Sequence, residues 1–261
     1  MSLDVVDLRT FYTGPLGAVA RRLLGRAIRA RWSNVTSLAV LGVGYATPYL
    51  DLFSGEAERV IAVMPAAQGV VNWPSGGLSA AALCDLDMMP LADASVDRVL
   101  LVHALEIGES PREILSEMWR ILTPGGRLIL VAPNRRGLWA RMDTTPFGFG
   151  QPFSRGQLTT VLREALFSPV HWAEALYVPP IPRRTFLRSA ATWERVGATL
   201  ALPFAGVHMI EATKTLYRPV AIRQTRRVGA TQMRPVLVPA PRLTRGEGMA
   251  SLAPVHTASL D

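Results

Sequence analysis

The sequence predicts an α/β fold, a doubly wound and mainly parallel sheet, on three observations. Short apolar runs alternate with helix-like stretches from Ser37 to Tyr217. The first run, Leu38 to Leu41, meets Gly42 and Gly44 and turns helix-like through Pro48, Tyr49 and Leu50. The runs are also continuous rather than alternating, as strands buried on both faces by crossover helices are. A length of 261 residues, 49% hydrophobic, suits one large domain with or without appendages.

Asp4 to Tyr12 shows no clear periodic element. Pro15 opens a helix to Trp32, with Leu16, Val19, Leu23, Leu24 and Ile28 on one face and Arg21, Arg22, Arg26 and Arg29 elsewhere. Residues 1–33 thus form a covering-helix region ahead of the sheet domain, expected over 34–220; a basic helix lying on a membrane surface is the alternative. Arg59 to Met64, Ala80 to Cys84 and Val96 to Val102 are the next strands. Pro111 to Leu122 is a helix with an apolar face of Ile114, Leu115, Met118, Ile121 and Leu122, stopped by the turn Thr123 to Gly126. Arg127 to Ala132 is the fifth strand. Asn134 to Gln151 is irregular, and Ser154 caps a helix to about Leu166. His171 to Val178 and Gly206 to Tyr217 are two further strands, joined by a helical segment near 190–200. Residues 221–261 carry six arginines against Glu247 and Asp261, and are expected to form a basic, Pro-containing, disordered tail.

Composition excludes several classes. Cys84 is the only cysteine, so neither an intrachain disulfide nor a cysteine-based metal cluster is available, and no metal is expected. No apolar run approaches the roughly 18 residues of a membrane span, and no charged-then-apolar leader opens the chain, so a cytoplasmic protein without a transmembrane segment is expected. The net charge of +8 invites a nucleic-acid reading, but of the 28 basic residues only Lys214 is a lysine, a bias that a GC-rich genome produces unaided. The arginines are scattered, and no basic-aromatic platform accompanies them, so a nucleic-acid partner is not expected.

Four stretches in order resemble the class I S-adenosylmethionine-dependent methyltransferases. They are Gly42-Val43-Gly44, Asp85 to Leu91 with Asp93, Ser95 and Asp97, His103-Ala104-Leu105-Glu106, and Glu117 to Gly126. The Met-Pro-Leu and Thr-Pro-Gly-Gly stretches resemble the subgroup that acts mostly on small molecules. The resemblance, over roughly residues 35–220, implies a Rossmann-like sheet of seven strands with the last one antiparallel. It implies S-adenosylmethionine as cofactor. The Gly42/Gly44 turn, with Tyr45, would approach the cofactor's amino-acid part; Asp85 would accept from the adenine amino group, with Leu86 beside the ring. His103 and Leu105 would line the sulfonium end. His103 and Glu106 are the candidate catalytic residues, the first alternatively a packed histidine and the second a plain helix-start carboxylate. Asn134, Trp139 and Phe147, in the irregular stretch, are candidate walls of the substrate pocket or else core and connection.

The pattern is broken at three places. Val40 stands where the family usually has an acid before the glycines, Ala46 replaces the third glycine, and Met64 stands where an acid grips both ribose hydroxyls. A hydrogen bond to a charged acceptor is worth roughly 1.5–3 kcal/mol, so losing that grip weakens binding on the order of 10- to 100-fold. Gln68 and Asn72 are the nearest replacements beyond Met64. Two functions follow: a small-molecule methyltransferase with a weakened or altered cofactor site, or a non-catalytic methyltransferase-like protein acting through a protein partner. The first requires room for an adenosine between Asp85 and the glycine turn.

Overall fold

A computed structural model of the protein describes residues 3–200 and 202–216. The tail expected over 221–261 lies outside the described residues. Seven strands form one sheet: β1 (Ala39–Gly44), β2 (Arg59–Pro65), β3 (Ala81–Cys84), β4 (Val96–Val102), β5 (Leu122–Pro133), β6 (Phe167–Ala175) and β7 (Val207–Lys214). Their order is β3-β2-β1-β4-β5-β7-β6, with β7 antiparallel to both neighbours and every other pairing parallel. The doubly wound sheet with an antiparallel last strand is the one that the sequence predicts.

Side chains alternate between two apolar layers, as the period of two along a strand requires. Val40, Leu100, Val102, Ile129 and Val131 enter one layer. Leu41, Val43, Val99, Leu101, Leu128 and Leu130 enter the other. The first layer is covered by α1 (Val5–Thr13), α2 (Pro15–Arg31), α3 (Thr47–Leu50) and α6 (Arg184–Thr199). The second is covered by α4 (Pro111–Ile121) and α5 (Arg155–Glu164). Val40 is 2% exposed in the first layer, where a carboxylate would be desolvated without a partner.

Several elements differ from expectation. Residues 5–13 are helical: the Asp4 side chain accepts from Val6 N at 3.0 Å, and Val5, Leu8 and Tyr12 bury one face. The helix near 190–200 begins earlier, at Arg184. β5 begins at Leu122, not Arg127, because its register jumps from Val96↔Leu122 to Arg98↔Arg127, carrying Thr123 to Gly126 as an irregular insert. β6 spans Phe167–Ala175 instead of 171–178; it is an edge strand, where Pro169 is tolerated beside a register shift. The helix from Ser154 stands as expected, with a capping box between Ser154 and Gln157. Among the described residues no helix is long and apolar enough to cross a membrane, and no group of three or more His, Cys, Asp or Glu side chains could hold a metal ion.

β7 carries a pH-sensitive residue. His208 is 3% exposed, its Nδ1 lies 3.4 Å from Glu174 Oε1, and burial, helped by the nearby Arg155 charge, lowers its pKa from 6.5 to about 4. Between those values the unfolded chain binds a proton that the folded chain refuses. Stability is therefore full above about pH 6.5 and falls towards pH 4, by up to about 3 kcal/mol. Urea melts at pH 7 and pH 5 should show a loss in the wild type that His208→Leu largely removes. An equal loss in the variant would place the sensitivity elsewhere.

Candidate functional site

Sheets of this kind bind ligands beyond the C-terminal strand ends, at the point where strand order reverses. Here that point lies between β1 and β4, where Gly44 pairs with Val102. His103 follows at φ 51°, in the left-handed region that histidine enters more readily than most side chains. Its Nδ1 lies 3.1 Å from Glu106 Oε1 and its Nε2 2.9 Å from the Tyr12 hydroxyl, which lies 3.1 Å from the Tyr49 hydroxyl. All four residues are buried. With Glu106 ionised, one donor direction satisfies the chain: Tyr49 donates to Tyr12, Tyr12 to Nε2, and Nδ1–H to the carboxylate. Burial raises the pKa of both tyrosines and keeps them as neutral donors; for Tyr12, the neighbouring Tyr49 and the Glu106 charge add to it. Glu106 Oε2 is buried without a hydrogen-bond partner.

Rings close this part of the crevice. Tyr45 stacks on Tyr12 at 5.5 Å, and Phe147 lies 4.7 Å from the His103 ring. Tyr45 N donates to Val102 O at 2.8 Å, so the turn beyond Gly44 spends that donor on the sheet itself. Gly42 packs beneath Leu50 of α3. Sequence reasoning missed Tyr12 and Tyr49; their only signal was the apolar spacing of Val5, Leu8 and Tyr12.

The open space lies to one side, beyond β2, β3 and β4. A cavity of about 890 Å³ is lined by Pro65 to Ala67, by Asp85 and Leu86, and by Ala104 and Ile107. That is within the range of small-molecule sites. Asp85, Asp87, Glu109 and Glu113 all face it and no basic side chain does. Their field favours neutral or cationic ligands; burial, helped by the charges of Asp85, Glu117 and Asp87, pushes the Cys84 thiol up to about 11. The loop carrying Asp85 and Leu86 is pinned to α4: Glu117 Oε1 accepts from Met89 N at 2.7 Å, and Arg120 donates to Leu91 O at 2.8 Å. Asp97 ties β1 to the insert in β5, accepting from Ala39 N and Thr123 Oγ1. Two of the four stretches, that from Asp85 to Asp97 and that from Glu117 to Gly126, therefore hold this corner in shape.

The remaining candidates scatter. Met64 is wholly buried in the layer under α1. Leu105 lies in the opposite apolar layer, apart from the Tyr12 cluster. Asn134 donates to Ala205 O at 2.9 Å and accepts from Arg136 N at 3.0 Å. Trp139 is fully enclosed, with Nε1 donating to Val178 O at 2.8 Å, and meets Phe147 edge to face at 5.5 Å. None of these five lines the open cavity.

Residues 40–130, from β1 into β5, match the family model described as a methyltransferase domain. No curated protein matches the chain. A solved S-adenosylmethionine-dependent methyltransferase of Mesorhizobium loti is 16% identical, over 72% of this chain and 96% of that one, with a TM-score of 0.53. A structure of the Haloferax volcanii Trm112 methyltransferase activator in complex with a methyltransferase matches at 17% identity, over 82% and 100%, with a TM-score of 0.56. A geranyl diphosphate methyltransferase in complex with GPP and sinefungin matches at 14% identity, over 74% and 77%, with a TM-score of 0.52. Likeness at such identity shows a shared fold.

Proposed function

We propose that the chain is a class I S-adenosylmethionine-dependent methyltransferase that methylates a small molecule, using a cofactor site of altered design. The observation that carries this reading is the cavity of about 890 Å³ with Asp85 and Leu86 on its wall. Asp85 is exposed there and offers an acceptor to an exocyclic amino group, while Leu86, Ile107 and Ala66 offer apolar contact to a purine. The four carboxylates suit a cationic sulfonium cofactor. When bound, S-adenosylmethionine supplies an electrophilic methyl group; the chain has only to align an acceptor with it, exclude water and, for an acceptor bearing a proton, take that proton. His103, the candidate for that role, is oriented by Glu106 but is 1% exposed, with Nε2 held by the Tyr12 hydroxyl. The solved geranyl diphosphate enzyme, whose ligand is a small molecule, supports the substrate class.

Titration calorimetry with S-adenosylhomocysteine tests the cofactor site. The wild type should bind, and Asp85→Ala should bind about 10- to 100-fold more weakly, because a charged hydrogen-bond acceptor is lost. Its melting temperature without ligand should hardly move, since the side chain is exposed.

A second reading draws on the tyrosines that fill the crevice beside Gly44. A scaffold that keeps the fold while acting through a protein partner needs no sulfonium site, and the Haloferax methyltransferase shows the fold in complex with a protein. Absence of any thermal shift with millimolar S-adenosylhomocysteine would favour it, because a ligand at 100 times its Kd stabilises by about 2.7 kcal/mol.

A further inference from the structure

The two faces of α2 meet different surroundings. Leu16, Leu23, Leu24 and Ile28 are buried against the sheet, so no apolar stripe is left to sink into a bilayer. The outer face is basic: the helix carries five arginines and no acid, and Arg21, Arg22 and Arg26 are exposed. Among the described residues none of these three forms an ion pair, while Arg29 is held by Glu56. α6 lies against α2 over the same side of the sheet. It adds Arg184, Arg188 and Arg195, all exposed. Its one acid is turned inward, Glu194 accepting from Leu176 N and Tyr177 N at 3.0 Å each. Like charges gathered on one face repel, a cost that a partner of opposite charge relieves.

A groove of about 670 Å³ runs along this face, and it shares no lining residue with the acidic cavity. Arg21, Arg22, Arg26 and Arg29 line it from α2; Pro48 of α3 and, just beyond that helix, Asp51 and Leu52 line it from the other side. Asp51, the one carboxylate there, accepts from Trp73 Nε1 at 3.0 Å. Leu52 is 41% exposed, and at the end of α6 so are Val196, at 46%, and Leu200, at 63%. Arginines interspersed with exposed aliphatic side chains match the headgroup layer of a membrane: guanidinium groups pair with phosphates, and the aliphatic groups enter the acyl boundary. Single-stranded nucleic acid fits less well, because its bases stack on exposed rings, and among the described residues no aromatic side chain is exposed. We propose that this face, centred on the groove beside α2, docks on a bilayer of anionic phospholipid, with the arginines on the phosphates and Leu52 among the headgroups. α2 stays folded on the sheet throughout. The proposal does not rest on the methyltransferase reading.

Co-sedimentation of the full chain with lipid vesicles tests it. The wild type should bind vesicles that mix phosphatidylglycerol with phosphatidylcholine, should ignore vesicles of phosphatidylcholine alone, and should release the mixed vesicles as salt rises. An arginine near an anionic membrane contributes about fivefold to affinity, so an Arg22→Gln/Arg26→Gln double variant should bind about 25-fold more weakly. Both side chains are exposed, so its melting temperature should stay that of the wild type. Leu52→Gln should weaken vesicle binding about three- to fivefold and leave any binding of poly(U) unchanged, since only a lipid surface offers an apolar layer. Wild-type protein that leaves the mixed vesicles unbound overturns the proposal. So does a double variant that binds them as the wild type does, because the contact then lies elsewhere on the chain. Poly(U) bound as tightly as the vesicles, with Leu52→Gln affecting neither, would make this a nucleic-acid face and end the lipid assignment. Binding of S-adenosylhomocysteine reports on the other site, so either reading can fail without the other.

Discussion

A Gly44→Ala variant is expected to lose about 3–4 kcal/mol of stability in urea denaturation, enough to unfold much of a marginal domain at 37 °C. Two costs combine. Gly44 has φ +75°, a conformation that costs an L-residue roughly 1–2 kcal/mol. The added Cβ would also stand 2.2 Å from the Val102 carbonyl oxygen and 2.8 Å from Ala104 Cβ, and backbone on the paired strand cannot step aside. Overpacking of that kind costs typically 1–3 kcal/mol. Gly42→Ala is the control. Its Cβ would meet the end of the Leu50 side chain at 2.6 Å, which a rotamer change relieves, and Ala46 Cβ at 2.9 Å, which none does, but no backbone oxygen, so about 1–2 kcal/mol is expected. Equal losses at the two positions would contradict this division. The first glycine lets a helix approach, and the second lets the chain leave the sheet.

Trp139→Ala should be costlier still, about 4–6 kcal/mol. Large aromatic truncations in a core cost about 3–5 kcal/mol, and the Val178 carbonyl loses its donor as well. Trp139→Phe keeps most of the volume and should lose about 1–2 kcal/mol, mainly that hydrogen bond. A Trp139→Ala protein with near-normal stability and altered ligand affinity would return this side chain to the role of pocket wall.

These two residues show where sequence reasoning reaches and where it stops. The sheet was legible because its strands are continuous aliphatic runs, a pattern that depends only on burial. The turn at Gly42 and Gly44 was legible as a turn, but which glycine faces what is a matter of packing against Leu50 and Val102, partners far along the chain. Trp139 and Phe147 read equally as pocket walls or as core because they stand in an irregular stretch; the loop folds back, and both rings end beneath 2% exposure. The helix at Val5–Thr13 was passed over although Asp4 caps it, since three apolar positions in nine residues make a weak period. Asp85 and Leu86 do border open space, and His103 and Glu106 are in contact, as their spacing of three allows. The long-range partner of that pair, Tyr12, comes from 91 residues away and has no local signature.

If the chain is the methyltransferase proposed above, the carboxylates around the cavity carry a consequence for turnover. S-adenosylmethionine has a net positive charge, and the thioether left after transfer is neutral overall. Asp85, Asp87, Glu109 and Glu113 therefore attract the loaded molecule more than the spent one, by about 1 kcal/mol for each unscreened pair at 4 Å in water. In that reading, exchange of one for the other would be biased forward by electrostatics alone. Because the effect acts across solvent, salt near 1 M, with a screening length of about 3 Å, should level the two affinities.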